Sequence, residues 1–175
     1  MVSRGIRWGA VALAAALIGA CQVAGNPNAP RRLTDDVSIS GQIALADVKA
    51  FHERGFRTIV NMRPDGEAPD QPNYGQMQTA AHDAGLAYGY VPIKPGPISR
   101  TSVEALGSTL SRMPKPMLLY SQAGDRPART WALAEASRPG GLDAAAIERA
   151  VKSAGQSVDD LASQIAARIA ARPKQ

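Results

Sequence analysis

The sequence predicts an α/β fold in which a mainly parallel central sheet is flanked by helices. Short runs rich in β-branched and aromatic residues alternate with stretches of helical periodicity, which is typical of parallel strands joined by helical crossovers. The chain has 175 residues, 45% of them hydrophobic, and these values suit a single folded domain. We therefore expect one layered domain with an extended targeting region before it.

The elements are predicted in chain order from periodicity and from capping residues. Strands are expected at residues 37–40, 56–62, 86–93 and 116–120, and the last is so apolar that we place it at the centre of the sheet. Helices are expected at residues 47–54, at 74–84, from Ser99 or Thr101 to 112, and from Pro127 onward. Proline suits the first helical position because its φ angle is already helical.

The Ala-rich segment from Gly140 to Gln175 is also predicted to be helical. Its apolar residues Val158, Leu161, Ile165 and Ile169 recur every three or four positions and form one stripe. We favour a helix packed on the domain. A helix that binds a partner or a membrane surface remains the alternative.

The first residues have the layout of an export signal. Arg4 and Arg7 precede an apolar run that is too short to span a bilayer comfortably. The sequence Ile18-Gly19-Ala20-Cys21 that follows resembles the bacterial lipobox, and this resemblance implies a lipidated Cys21. The alternative is a simple cleaved signal in which Cys21 is incidental.

These features divide the chain into four predicted parts. They are a lipoprotein signal peptide (1–20), a polar, proline-broken tether (21–32), a folded domain (33–138) and a C-terminal helical extension (139–175). Because Gln22 is not the aspartate that retains such lipoproteins in the inner membrane, the resemblance implies a periplasm-facing, outer-membrane lipoprotein of the cell envelope.

Composition excludes several classes of site. The formal net charge of +5 falls to +3 without Arg4 and Arg7, and the remaining basic residues are scattered, so we predict no nucleic-acid partner. Cys21 is the only cysteine, which excludes an internal disulfide and a cysteine-based metal cluster. His52 and His82 lie in separate helical patterns. We predict neither a metal nor a cofactor, and no particular protein partner is indicated.

One constellation could carry chemistry. After the apolar strand that ends at Tyr120 comes a tight loop, Ser121-Gln122-Ala123-Gly124-Asp125-Arg126, followed by a helix start. In such a turn the backbone N–H groups and the helix N-terminus favour an anion at one point. Arg126 can add a bidentate contact to phosphate or sulfate oxygens. The loop therefore predicts a site for a phosphate-like anion or a phosphorylated ligand.

Most of the domain resembles the bacterial protein-tyrosine-phosphatase-like family, also called the beta-lactamase-hydrolase-like or sulfur-transferase-like family. The matching stretches are residues 33–40, 55–67, 71–72, 84–88 and 120–133. The Arg-Pro-Asp-Gly-Glu segment at 63–67 and the loop at 121–126 are the specific parts. The resemblance implies a cysteine-phosphatase-like fold.

The resemblance also implies a nucleophilic cysteine at the first loop position, and this chain has Ser121 there. Pro127 stands where the family often has a serine, and Asp125 adds negative charge to a loop meant for anions. A serine hydroxyl stays protonated at neutral pH and needs a general base, whereas a cysteine in such a loop becomes a thiolate. Cysteine-dependent dephosphorylation and persulfide transfer are therefore both disfavoured.

A second loop, after the strand that ends at Met62, is expected at the same edge of the sheet. By position alone, one of Asp65 and Glu67 could be a general acid, and Asp65 is the candidate we name. The alternative, which we favour, is a turn at Asp65-Gly66 with Glu67 stabilising the loop. Arg63 could pair with Asp65 or Glu67 instead of contacting a ligand.

Three functions remain open from the sequence. The leading hypothesis is a membrane-anchored, catalytically impaired phosphatase-like domain that binds an oxyanion or a phosphorylated ligand. The second is an active phosphatase or hydrolase that uses Ser121 or another group. The third is a non-enzymatic envelope scaffold whose loop has no ligand.

Overall fold

The computed structural model describes residues 28–173 and contains a five-stranded sheet. The strands are β1 (Arg31–Arg32), β2 (Val37–Ser40), β3 (Thr58–Asn61), β4 (Ala87–Tyr90) and β5 (Met117–Tyr120). Their spatial order is β1-β2-β5-β3-β4, and all neighbours are parallel except β1 and β2. The predicted mainly parallel sheet and its central strand are thus confirmed. The edge strand β1 was not predicted. Its two residues belong to the sheet, although we had assigned them to the end of the tether at residues 21–32.

Six α-helices surround the sheet in the described part of the chain. They are α1 (Val48–Glu53), α2 (Tyr74–Asp83), α3 (Arg100–Arg112), α4 (Asp125–Ser137), α5 (Ala144–Ser153) and α6 (Ala162–Ala170). Short 3₁₀ turns precede α1 and α6, at Leu45–Asp47 and Asp159–Leu161. Ser99, one of the two residues predicted to cap α3, is its N-cap. Asn73 forms a capping box with Gln76 at the start of α2.

Helix α4 begins two residues earlier than predicted. Asp125 is its first residue, and Pro127 occupies the third position instead of the first. Proline is tolerated there because the N–H groups of the first turn have no partner within the helix. The early start brings Arg126 into the first turn of the helix, directly after the loop.

Alternate residues of the strands enter two separate cores. In β5, Met117 and Leu119 face the core shared with α3–α6, whereas Leu118 and Tyr120 face the core shared with α1 and α2. A period of two residues is what a strand buried on both faces requires. The central sheet is thereby fixed from both sides, and the loops beyond its strand ends are held in place.

The C-terminal helices are an integral part of the larger core. Val158, Leu161 and Ile165 are each at most 5% exposed, and Ile169 packs against the same cluster. The prediction that this stripe packs on the domain is confirmed. No helix within residues 28–173 has the length and apolar character needed to cross a membrane.

Candidate anion-binding site

The predicted loop joins β5 to α4 at the carboxyl edge of the sheet. Ser121 is fully buried, and its N–H donates to the carbonyl of Ser40 at the end of β2. The carbonyl of Gln122 accepts from the N–H of Gln42, at a distance of 3.1 Å. The loop is therefore fixed to the neighbouring parallel strand.

Four amide groups of the loop have no acceptor within the described residues. They are the N–H groups of Gln122, Ala123, Asp125 and Arg126, whereas the N–H of Gly124 donates to Ser121 Oγ at 3.2 Å. Amides grouped before and within the first turn of a helix carry partial positive charge and favour an anion. Pro127 contributes no donor, so the third helical position adds nothing to this set.

Gly124 has a conformation and a packing that other residues cannot adopt easily. Its φ angle is +85°, and a Cβ atom there would lie 2.6 Å from Nη2 of Arg31 and 3.1 Å from the carbonyl oxygen of Ser40. Arg31 in β1 also donates to the carbonyl of Ala123 at 3.2 Å. The loop thus rests on a guanidinium group from the edge strand, which the sequence did not indicate.

Arg126 is held by two other loops of the same sheet edge. Its Nη1 and Nη2 atoms donate to the two carboxylate oxygens of Glu67 at 2.7 and 2.8 Å, and Nη1 also donates to the carbonyl of Ile93 at 2.6 Å. Glu67 follows β3, and Ile93 follows β4. Loops after three parallel strands therefore converge on one guanidinium group, as expected at the carboxyl edge of such a sheet.

This arrangement leaves one edge of the guanidinium available. A guanidinium has five N–H donors, and the contacts to Glu67 and Ile93 use three of them. The remaining donors, Nε–H and one Nη2–H, have no acceptor within residues 28–173. They lie on the same side of the planar group and match a bidentate contact to a phosphate or carboxylate.

Glu67 is shared between two arginines. Arg63 donates from Nε to Glu67 Oε2 at 3.0 Å and from Nη1 to Gln42 Oε1 at 2.7 Å. The side chains of Arg63, Arg126 and Glu67 are only 5%, 8% and 16% exposed. The hydrogen bond from Arg126, with a smaller contribution from Arg63, holds the pKa of Glu67 below its ordinary value.

A cavity of about 220 Å³ lies beside the loop. Gln122, Ala123, Asp125 and Arg126 line one side of it, and the Pro95–Gly96 turn lines another. The exposed Asp125 carboxylate at this cavity opposes anion binding. A larger groove of about 1130 Å³ lies across α3, α4 and α6, near the amino ends of β2 and β5, and is remote from the loop.

The other predicted residues lie apart from the loop or outside the described chain. Both carboxylate oxygens of Asp65 accept from the N–H of Tyr74, at 2.9 and 3.0 Å, and Gly66 has a φ angle of +79°. These contacts support the turn interpretation, and the general-acid role of Asp65 stays a prediction. Cys21 lies outside the described residues.

Sequence reasoning named Glu67 as one of two possible partners of Arg63, and the structure shows that pair. It missed the partners of Arg126. Glu67 and Arg126 are 59 positions apart, so local spacing gives no signal. The available signal was topological, because both loops follow parallel strands at one sheet edge. Within residues 28–173, no group of three or more His, Cys, Asp or Glu side chains could hold a metal ion.

Comparison with known proteins identifies the family of this chain. The family model for the phosphatase-like domain of beta-lactamase hydrolase-like proteins matches residues 30–138, more than half of the chain. The chain belongs to this family. Beta-lactamase hydrolase-like proteins from Agrobacterium fabrum and Xylella fastidiosa are 32% and 35% identical over 105 and 103 residues. These segments cover 60% and 59% of this chain but only 24% of each relative, so the chain spans about a quarter of their length.

Several solved protein structures have the same fold as this chain. A candidate phosphatase from Neisseria meningitidis superposes with a TM-score of 0.68 at 24% identity. The aligned region covers 79% of this chain and 96% of that protein. Pseudomonas aeruginosa TpbA, with serine in place of a cysteine and in complex with phosphotyrosine, has a TM-score of 0.56 at 17% identity, covering 85% and 88%. Kinase-associated phosphatase, with its catalytic cysteine replaced by serine, has a TM-score of 0.58 at 14% identity, covering 78% and 89%. The predicted cysteine-phosphatase-like fold is therefore confirmed.

Proposed function

We propose that this phosphatase-like domain binds a phosphate-type oxyanion or a phosphorylated ligand at the Ser121–Arg126 loop and is catalytically impaired. The observation that carries the proposal is that the Arg126 guanidinium is fixed in place but retains unused donors. Glu67 and Ile93 use three of its five N–H donors, and the edge formed by Nε and Nη2 remains available together with four loop amides. Such preorganised donors favour an anion because they need no rearrangement to receive it.

The impairment follows from the chemistry of Ser121. Its hydroxyl is buried, and its one hydrogen bond within the described residues is the N–H of Gly124. A donor of this kind would stabilise a thiolate, but it cannot remove a proton from a hydroxyl. No carboxylate or imidazole of the described residues hydrogen-bonds to Ser121 Oγ, so no general base is in place.

A structural neighbour with a serine in place of a cysteine holds a phosphorylated ligand. The TpbA structure carries serine in place of a cysteine and contains phosphotyrosine. By analogy, the loop of the present chain would hold a phosphoryl group without forming a covalent intermediate. This extends a property of that protein to this one and belongs to the proposal.

The location is proposed from the sequence alone. We infer that Cys21 is lipidated and anchors the domain in the cell envelope, facing the periplasm from the outer membrane. With more than one acyl chain, such an anchor is stable, since each buried CH₂ contributes about 0.8 kcal/mol. The ligand would then be an envelope component or a solute of the periplasm.

Calorimetric titration of the purified protein with orthophosphate and vanadate tests the anion site. We expect saturable binding that Arg126→Gln abolishes and that Arg100→Gln leaves intact. Arg100 is a matched control because it is an exposed arginine paired with Glu104 on α3. Circular dichroism must show that both variants are folded. Binding that survives in folded Arg126→Gln would contradict the proposal.

Two changes at Ser121 separate the remaining functions. We expect no turnover of an aryl phosphate by the natural protein, whereas Ser121→Cys should create turnover or a thiol with a pKa below its ordinary value of about 8.5. Turnover by the natural protein that Ser121→Ala abolishes would establish an active phosphatase instead. A Ser121→Cys thiol that titrates at about 8.5, together with no anion binding, would favour the ligand-free scaffold.

A further inference from the structure

A second arginine lies beside Arg126 at the cavity. Arg129 follows it by three positions on α4, so the two residues are neighbours on one face of the helix. Both line the cavity of about 220 Å³ together with the loop residues Gln122 and Ala123. The cavity therefore has two guanidinium groups along one wall.

Arg129 is held in the same manner as Arg126, by a carboxylate on one edge. Its Nη1 and Nη2 atoms donate to the two oxygens of Asp160 at 2.7 and 2.6 Å. Its Nε–H and the second hydrogens of Nη1 and Nη2 have no acceptor within residues 28–173. Like Arg126, Arg129 thus retains donors that a ligand could use.

The two carboxylates differ in how firmly they are held. Glu67 is largely buried between two arginines, whereas the Asp160 side chain is 64% exposed and pairs with Arg129 alone. An exposed ion pair contributes little to stability, because water and salt screen it. An incoming anion can therefore displace Asp160 from Arg129 much more easily than Glu67 from Arg126.

Asp160 also lies outside the region that defines the family. The family model matches residues 30–138, and Asp160 belongs to the 3₁₀ turn before α6. The C-terminal extension thus supplies a carboxylate to the rim of a site that the family domain forms. Asp160 therefore lies beyond the matched range, although its helices share the larger core with the matched domain.

We propose that Arg129 is a second anion-binding position, occupied by Asp160 in the absence of ligand, and that the site therefore selects ligands with two adjacent phosphoryl groups. This inference rests on the proposed anion site at Arg126. One phosphoryl group would accept from the loop amides and Arg126, and the second would replace Asp160 at Arg129. Binding is noncovalent, and no bond of the ligand forms or breaks.

Titration of the full chain, purified in detergent, with inorganic pyrophosphate and orthophosphate tests the inference. We expect pyrophosphate to bind more tightly than orthophosphate. Arg129→Gln should weaken pyrophosphate binding by about tenfold or more, the size expected for lost charge-assisted hydrogen bonds, and should change orthophosphate binding much less. Arg100→Gln removes the same charge at an exposed residue that does not line this cavity, and should weaken neither ligand to this extent.

The role of Asp160 has its own matched pair of variants. Asp160→Asn removes the competing carboxylate and should strengthen pyrophosphate binding, with little effect on orthophosphate. Asp159→Asn makes the same charge change at the adjacent exposed position, which has no ion pair in the described chain, and should not reproduce the gain. Equal gains in affinity for pyrophosphate in both variants would mean that net charge alone causes the gain. The proposal that Asp160 occupies the second anion position would then be wrong.

The outcomes separate this inference from the proposed function. If orthophosphate binds in an Arg126-dependent manner but Arg129→Gln affects both ligands equally or not at all, the second position is wrong and the anion site stands. If neither ligand binds the natural chain, the proposed anion site fails and the second position fails with it.

Discussion

The carboxylate of Glu67 is the shared anionic partner of two buried arginines. Its oxygens accept from Arg63 and Arg126, and all three side chains are largely buried. Removing one member of a buried ion group is costly because the remaining charges lose their compensation. The residue matters for the site although it has no place in the loop that would hold the ligand.

We predict that Glu67→Gln lowers the free energy of unfolding by about 3 kcal/mol, because it leaves two buried guanidinium groups without an anionic partner. Urea unfolding followed by tryptophan fluorescence measures the change, since Trp131 is buried. Glu104→Gln breaks an exposed pair and should cost at most about 1 kcal/mol. Equal losses in the two variants would contradict the buried role of Glu67.

Glu67 should also make stability depend on pH. Its pKa is lower in the folded chain than in the unfolded chain, where the ordinary value is about 4.5. The stabilisation is therefore complete above that pH and is lost as the pH falls through the interval between the two values. Unfolding measured from pH 6 to pH 3 should show a smaller decrease for Glu67→Gln than for the natural chain.

Gly124→Ala tests the fit between the loop and the strands beneath it. A methyl group there would meet Arg31 and the Ser40 carbonyl, at a φ angle that favours glycine. We expect a loss of about 2 kcal/mol or more in unfolding free energy and weaker orthophosphate binding. Gly107→Ala in α3 meets no atom within 4 Å and should instead stabilise the protein by about 0.5–1 kcal/mol.

At the scale of elements, the C-terminal helices depend on one apolar stripe and one arginine. Arg172 donates to the carbonyls of Glu135, Ala136, Gly141 and Leu142, and so ties the end of the chain to the turn between α4 and α5. Together with the stripe, these contacts explain why α5 and α6 share a core with the family domain. The extension that carries Asp160 is thereby held in a defined position.

We predict that Ile165→Ala destabilises the whole domain by about 2–5 kcal/mol in a single unfolding transition, because it creates a cavity in the common core. Ile169→Ala should cost less, since Ile169 is only partly buried. Thermal unfolding with two probes, tryptophan fluorescence and circular dichroism, tests the shared core. Separate transitions for the two probes would indicate that the extension folds independently.

The sequence predicted the elements well because each has its own periodicity. The buried strands at 58–61 and 117–120 and the helices at 74–83 and 100–112 were placed within about three residues at each end. Strand ends were overestimated, since apolar residues such as Phe56 and Met62 stay buried beyond the hydrogen-bonded part of the sheet. The two-residue strand β1 was missed because Arg31 and Arg32 have no strand-like pattern.

At the scale of the whole molecule, the loop could be predicted from the sequence, whereas the distant residues that contact it could not. The residues of the loop are contiguous, so a strand, a glycine and a helix start already define it. The contacts from Glu67, Ile93, Arg31 and Asp160 cross tens of positions and depend on which strands are neighbours. A single sequence gives no order of strands, and hence no such pairs.

We predict that Cys21→Ala moves the protein from the membrane fraction to the soluble fraction of the cell envelope, because the acyl chains of the proposed lipoprotein attach to that thiol. Fractionation and the mass of the N-terminal peptide test this. A natural chain whose N-terminal peptide carries no acyl mass would contradict lipidation, and a simple cleaved signal would then explain the apolar run.

With the proposed lipid anchor at Cys21, the contact between Arg31 and Ala123 would limit the distance between the proposed ligand site and the bilayer. Arg31 follows Cys21 by only ten positions, and a fully extended chain covers at most about 3.6 Å per residue. An acylated Cys21 would therefore keep the Arg31 side of the loop within roughly 35 Å of the lipid surface. Solutes that stay near headgroups would meet this loop far more often than solutes deep in the periplasm.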